Sequence, residues 1–464
     1  MKLKRILAIC LLLCMMLGLA ACGDEGVPYV PPTVGTRPTG NTGNVDGPEE
    51  PDGPGKVEEL TSWQKFNTTV TTDKHVLTTE VGATITIDPV TYDEVDAGLK
   101  ITLDNSSEQT LYADVKMAAV NGVMLDAGTS VTADAGESGD TTLWLSQDQM
   151  RLNAIFNIKT IDLVLSIYDE EWDQLKQLEV TIGAKVVAVM PGCEDFYDVI
   201  TNEAAQKDLA FELLDATRAE QALGKDVYLK TKAMVQYEYE STTRVYLELE
   251  NRSQEAKYLD VTLQKLNGLE HYWDWDYGYM LPDTTMLISF VVGGNFGEGM
   301  MVKAFGMEEI AQMEFAAEVY DCDENYEMDF WAEDTAHNIV TYNIPDTEVT
   351  LDMSATVIYD NGQIRISSKE AVTNEYNESY IFLIFEVLSN DDYYVEDHPD
   401  RDVTVEGEDC YVYFDTPGWI EGKGTAITYL EVDNTKPVTV DVPVMVTNWD
   451  TDEESFLSLL FDLE

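Results

Sequence analysis

The stretch LDNSSEQTLYADVKMAAVNG, Leu103–Gly122, returns without gaps as LENRSQEAKYLDVTLQKLNG, Leu249–Gly268. Eight of its 20 positions are identical, namely Leu103/Leu249, Asn105/Asn251, Ser107/Ser253, Tyr112/Tyr258, Asp114/Asp260, Val115/Val261, Asn121/Asn267 and Gly122/Gly268; chance would give roughly one. The match is that of a duplicated structural unit, and its internal pattern says which kind. Leu99, Ile101 and Leu103 alternate with Lys100 and Thr102, and Val245, Leu247 and Leu249 alternate with Tyr246 and Glu248. Ala113, Val115 and Met117 correspond to Leu259, Val261 and Leu263 on the following strand. Period-two alternation describes half-buried strands. Asn105-Ser106-Ser107 and Asn121-Gly122 supply turn chemistry between them.

Outward from this pair, Asp140-Thr141-Thr142 matches Asp283-Thr284-Thr285, and SIYDEEW (Ser166–Trp172) matches EVYDCDENY with Tyr168-Asp169 on Tyr320-Asp321. A third, fainter unit is read from SYIFLIFEVLSN (Ser379–Asn390) at the paired strand, from VDVPVMVTNWD (Val440–Asp450) where the first unit has IDLVLSIYD, and from Asp360-Asn361-Gly362 at its opening turn. Short strands with turns every 8 to 12 residues point to antiparallel sandwiches. The expected fold is mainly β: three tandem immunoglobulin-like β-sandwiches, at 60–190, 191–345 and 346–464. One segment departs from it. Residues 202–223 are rich in helix formers, with Leu209, Leu213 and Leu214 near helical spacing and Gly224 as a stop, and predict a helix decorating the second unit or, in part, its leading strand.

The first 22 residues carry Lys2, Lys4 and Arg5, an uncharged apolar run from Ile6, and Leu19-Ala20-Ala21-Cys22. This is the form of a secretory signal, 1–21, too short for a membrane span. The last four residues resemble the lipobox of bacterial lipoproteins, which implies cleavage before Cys22 and a lipid on its thiol. The expected address is the outer face of the bacterial cytoplasmic membrane, with the membrane as partner through that lipid. Residues 22–59 continue as a tether holding seven of the chain's 15 prolines, with Gly, Thr, Asn, Asp and Glu between them, the composition of a disordered stalk.

The chain carries 87 Asp+Glu against 28 Lys+Arg, a formal net charge of −59. That balance argues against nucleic acid as a partner and favours solubility and self-repulsion. Of the six cysteines, Cys193, Cys322 and Cys410 remain outside the leader and lipidation site. They are too few and too scattered for a disulfide framework, so buried free thiols are expected, with one bridge and one leftover as the alternative.

The strand pattern, with its Asn-Ser and Asn-Gly punctuation and its IYD signature, resembles the immunoglobulin-like repeats of secreted clostridial-type lipoproteins. The resemblance implies a fold and an extracytoplasmic address and transfers no catalytic residue. None is expected from the residues themselves. There is no G-x-S-x-G, and His75, His271, His337 and His398 stand apart, as surface or turn histidines do. GGNFGEG, 293–299, has Met300 where a phosphate loop needs Lys, and is expected to be a hairpin or bulge.

Two acidic stretches invite a calcium test. Asp321, Asp323 and Asn325 have EF-hand opening spacing, but Tyr326 and Ala332 replace the required Gly and Glu; Asn448, Asp450 and Asp452 fail likewise at Glu453 and Leu459. Neither is an EF-hand, which leaves a looser calcium site as the cation option and otherwise no cofactor.

The remaining candidate is YWDWDYGY, Tyr272–Tyr279. On a strand, Trp273, Trp275, Tyr277 and Tyr279 share one face, and Asp274, Asp276 and Gly278 the other. Large rings fill sandwich cores, so they are expected inward; outward, with Tyr272, they would form a platform for a glycan or peptide. The expected function is a non-catalytic, membrane-anchored surface protein for ligand binding, adhesion or envelope assembly. The alternatives are a carbohydrate-active or glycan-capturing protein using this strand, and a regulatory partner of an envelope enzyme or transporter.

Overall fold

In the computed structural model the duplicated stretch becomes two strands that cross from one sheet to the other. Asp96–Asn105 pairs with Ala83–Ile87 and Ser138–Ser146, and Leu111–Val120 pairs with Thr160–Tyr168 in the facing sheet. The second unit repeats this: Thr243–Asn251 lies between Val227–Tyr237 and Thr284–Val292, and Lys257–Leu266 lies between Leu269–Met280 and Gln312–Asp321. The third follows the same plan. Ser379–Val387 lies between Ile364–Ser368 and Thr425–Val432, facing Tyr393–Asp397, which pairs with Val438–Asn448. The protein is therefore mainly β, built of antiparallel sheets packed as sandwiches. The described residues are 66–463 without 94–95, 185–193, 240–241, 295–296, 308, 324, 329–334, 370, 377, 399–402, 406–407, 410–412, 415, 417 and 433–437. All of them fall in one compact unit, Glu59–Glu464. The leader, Cys22, the tether, Cys193 and Cys410 lie outside the described residues.

The repeat's identical residues are side-chain clamps. Asn105 donates through Nδ2 to the Gln109 and Ala133 carbonyls at 2.8 and 2.9 Å, while its Oδ1 accepts from the Ser107 amide and hydroxyl. Asn251 does the same to Glu255, Met280 and Leu281, with Ser253 in the place of Ser107. Asn121 and Asn267 open left-handed turns, φ 54° and 51°, each followed by a glycine at φ 80° or 83°. Each Asn Oδ1 also accepts two amides of the next strand's approach, Lys159 and Thr160 in one unit and Ala311 and Gln312 in the other. At these four turns the asparagines thus supply partners for backbone groups that the strand ladders leave unpaired.

Register confirms some sequence matches and corrects others. Tyr112 pairs with Tyr168 and Tyr258 with Tyr320, as aligned. The hairpin turn beyond them, however, is closed by Asp169 in one unit and by Asp323, not Asp321, in the other: each Oδ1 accepts two turn amides. Asp140-Thr141-Thr142 and Asp283-Thr284-Thr285 are not equivalent either, because Asp104 pairs with Ser138 whereas its counterpart Glu250 pairs with Thr285.

The helix expected over 202–223 is largely a strand. Short helices occupy Phe196–Ile200 and Glu203–Asp208, and Phe211–Gly224 then pairs with Val227–Tyr237. Pairing with a sheet edge overrides local helix propensity; Lys225 and Asp226, at φ 48° and 59°, turn the hairpin, with Gly224 at φ 92° ending the strand before them. The glycine run at 293–299 leads into the helix Gly297–Ala304 rather than a hairpin. A Cβ on Gly299 would lie 2.6 Å from the Gly293 backbone, so glycine permits that approach.

The first two sandwiches share a sheet. Thr285 bridges Val123 in parallel, and its amide donates 2.9 Å to the Gly122 carbonyl, joining strands of both units into one nine-stranded sheet. The third meets the second through apolar side chains: Tyr380, Phe382, Ile384, Ile427 and Tyr429 belong to the second unit's core cluster.

Candidate functional site

The aromatic stretch lies within Leu269–Met280, at the edge of the second unit's four-stranded sheet. Its pairing with Lys257–Leu266 sets Trp275 opposite Thr262, Tyr277 opposite Asp260 and Tyr279 opposite Tyr258. Leu259, Val261 and Leu263, on the alternate positions, are core residues. The rings of Trp275, Tyr277 and Tyr279 therefore stand on the outer face, against the inward expectation. Trp275 and Tyr277 are 46% and 51% exposed and stack on each other with centroids 4.8 Å apart and planes 17° apart. Tyr258 continues the row, 5.9 Å from Tyr277 and 4.8 Å from Tyr279.

Trp273 does point into apolar surroundings. It is 5% exposed, donates from Nε1 to the Leu269 carbonyl at 3.2 Å and meets the His271 ring edge-on. There the third sandwich covers the face. His271, expected at the surface, bonds the Ile427 backbone, and burial pushes its imidazole down to about 4. Of Tyr272 only the backbone is described.

The carboxylates between the rings have a structural task. Asp274 Oδ2 accepts the Val291 amide and Asp276 Oδ2 the Ser289 amide, both at 2.8 Å. Those amides belong to Thr284–Val292, on the side that pairs with the first unit's Val123 only at Thr285, and their two-residue spacing is that of outward N–H groups on one strand side. Asp274 and Asp276 thus cap the stretch of that strand beyond Thr285, whose amides would otherwise be open. Burial raises the Asp276 carboxyl, and the Ser289 amide opposes that rise. Gly278 completes the inner row, where a Cβ would lie 2.8 Å from the Met286 sulfur.

The same outer face carries groups that the sequence reading did not single out. Asp260 pairs with Tyr277 on one side and Glu318 on the other. Glu318 accepts the Tyr320 hydroxyl and lies 2.8 Å from His337 Nδ1. Burial raises the Asp260 carboxyl, and Glu318 adds to the shift. The available signal was the identity Tyr112-x-Asp114/Tyr258-x-Asp260, two outward positions that packing alone does not require to be equal. Beside this face, a cleft of about 710 Å³ between the first and second sandwiches is lined by Tyr277, Tyr279, Tyr237 and Arg244 on one wall and by Lys116 and Asp126 on the other.

The two acidic stretches are not gathered around a point. Asp321 lies between the Lys225 and Lys257 ammoniums at 2.5 and 2.7 Å. Asp323 turns onto its hairpin amides, with Asn325 beside it bonded to Gln174. Asn448 accepts the amides of Asp450 and Thr451, Asp450 reaches the Asp392 amide, and Asp452 takes the left-handed turn position. Among the described residues no three His, Cys, Asp or Glu side chains are grouped to hold a metal. Cys322 is a free thiol, pushed up to about 12 by burial.

No family model matches the chain, and no curated protein does. Among solved structures it is similar to one of a bacterial ice-binding adhesin, described for host cell surface retention, with 11% identity, 80% of this chain and 91% of that one covered, and a TM-score of 0.13. It is also similar to the exo-chitosanase of Amycolatopsis orientalis, with 8% identity, 84% and 79% coverage, and a TM-score of 0.15. Likeness at this level carries no argument about function.

Proposed function

We propose that the chain is a non-catalytic, extracytoplasmic binding protein, lipid-anchored through Cys22 and presenting its sandwiches on the 22–59 tether. The second sandwich captures an envelope ligand on its outer sheet face. The observation that supports this reading is the stacked, half-exposed pair Trp275 and Tyr277 on an open face. Apolar rings left in water beside carboxylates suit a ligand that stacks on a ring and hydrogen-bonds at its rim. Calcium is not needed for this role.

The test uses the Cys22→Ala protein, which should leave the cell surface for the medium, in a screen of glycans and peptidoglycan fragments. Trp275→Ala and Tyr277→Ala should each weaken capture by roughly tenfold, as about 1.4 kcal/mol of lost ring contact would. Capture unaffected by both changes moves the site elsewhere, and no capture at all removes the reading.

A further inference from the structure

We propose that the outer face of the second sandwich, at Asp260, takes an organic ammonium group, on the face where the first sandwich carries its own lysine near the equivalent carboxylate. This deepens the binding role above and rests on it.

The two units place equivalent residues on equivalent faces. In the first, Tyr112 and Asp114 pair across to Tyr168 and Ser166; in the second, Tyr258 and Asp260 pair across to Tyr320 and Glu318. The third repeats the outward pair as Tyr394 and Glu396, with Trp419 opposite Tyr394. Burial raises all three carboxyls, Asp114, Asp260 and Glu396, so each sits where a nearby positive charge would be welcome.

In the first sandwich that charge is present. Lys116, two residues after Asp114, carries its ammonium 5.7 Å from the Tyr168 ring centroid, donates to Gln174 Oε1 at 3.2 Å and lies 4.0 Å from Glu327; it makes no direct bond to Asp114, but its charge draws that carboxyl back down. A cation over a ring face beside a carboxylate is a favourable arrangement, worth more as water is excluded. In the second sandwich the gapless alignment puts Thr262 at the Lys116 position. The carboxylate remains, a second carboxylate, Glu318, is added, and the chain's own ammonium is gone; the equivalent rings Tyr258 and Tyr320 are buried, so the ring open to a visitor is Tyr277 opposite Asp260. Among the described residues no lysine or arginine pairs with Asp260. A net charge of −59 further favours a cationic visitor over an anionic one. The half-exposed Tyr277 and Trp275 border the position from the solvent side.

Calorimetric titration of the Cys22→Ala protein with choline, and with its uncharged isostere in which carbon replaces nitrogen, tests the assignment. Choline should bind and the isostere should bind at least tenfold more weakly. Asp260→Asn should lose at least tenfold in choline affinity while its melting temperature shows that it folds. Thr262→Lys, which removes no group of the site, should block choline by supplying the ammonium that Lys116 supplies in the first unit. Equal binding of choline and isostere, or choline binding untouched by both variants, overturns the ammonium site. If neutral glycans are captured through Trp275 while choline is ignored, the inference fails and the binding role stands. If neither is bound, both fail.

Discussion

Asn251 holds together three carbonyls and a serine from two different turns while showing no surface to solvent. Its value lies in having a donor and an acceptor on one short side chain. Asn251→Ala should destabilise the second sandwich by about 2–4 kcal/mol, because buried backbone groups lose their partners. Asn251→Asp should cost a similar amount despite its equal size, since a carboxylate cannot donate to the Met280 and Leu281 carbonyls. Denaturant midpoints of the two variants check this; an aspartate variant as stable as the parent would refute the donor role. The identity of this residue in both units was visible in the sequence, and so was its association with turns. What it bonds to was not, because the Ala133, Met280 and Leu281 carbonyls arrive from strands some 30 residues away. The opposite failure occurred at Asp321 and Asp323. The alignment set Asp169 on Asp321, but the strand in the second unit runs two residues further before turning, so Asp323 takes the turn amides.

At the scale of the element, the aromatic strand is legible only when its partner and both neighbouring sheets are known. Period-two alternation placed the rings on one face and the acids on the other, as found. Which face looked outward depended on the acids having an inward use, and that use is the side of Thr284–Val292 left unpaired beyond Thr285. Ser379–Val387 shows the same limit. Its apolar run does not alternate because Ile381, Leu383 and Phe385 fill the third core while Tyr380, Phe382 and Ile384 are buried against the second. The edge-closing role makes a specific prediction at Asp276. Asp276→Ala leaves the Ser289 amide without its acceptor and should cost about 1–3 kcal/mol. Asp276→Asn keeps an acceptor oxygen for Ser289 and removes a carboxylate whose ionisation burial disfavours, but gives up the acceptor of the Tyr277 amide, so it should cost less than the alanine change at neutral pH. Thermal melts of the pair decide it: equal losses would mean that the charge, not the acceptor, matters.

For the whole molecule, the excess of acid governs how stability follows pH. Asp96, Asp114, Glu248, Asp260, Asp276, Glu396 and Asp397 are all raised, in each case chiefly by burial. Such groups bind more protons folded than unfolded, so their contribution weakens as pH rises from the ordinary carboxylate range through the folded values. A smaller set acts the other way. At Asp321 burial acts to raise the carboxyl, but the Lys225 and Lys257 ammoniums outweigh it; the Gly362 amide and Arg365 lower Asp360. Their contribution is lost only as pH falls below the unfolded carboxylate values through the lowered ones. Self-repulsion of a chain at −59 adds to the first trend and is screened by salt. The melting temperature should therefore rise as pH is lowered from about 8 to about 5 and turn down below about 4, where the lysine-paired carboxylates protonate. Salt at about 0.5 M should raise it more at the alkaline end than at pH 5, because the repulsion it screens is greatest there. A melting temperature that falls steadily from pH 8 to pH 5 would mean that the paired acids, not the buried ones, dominate the electrostatics of the fold.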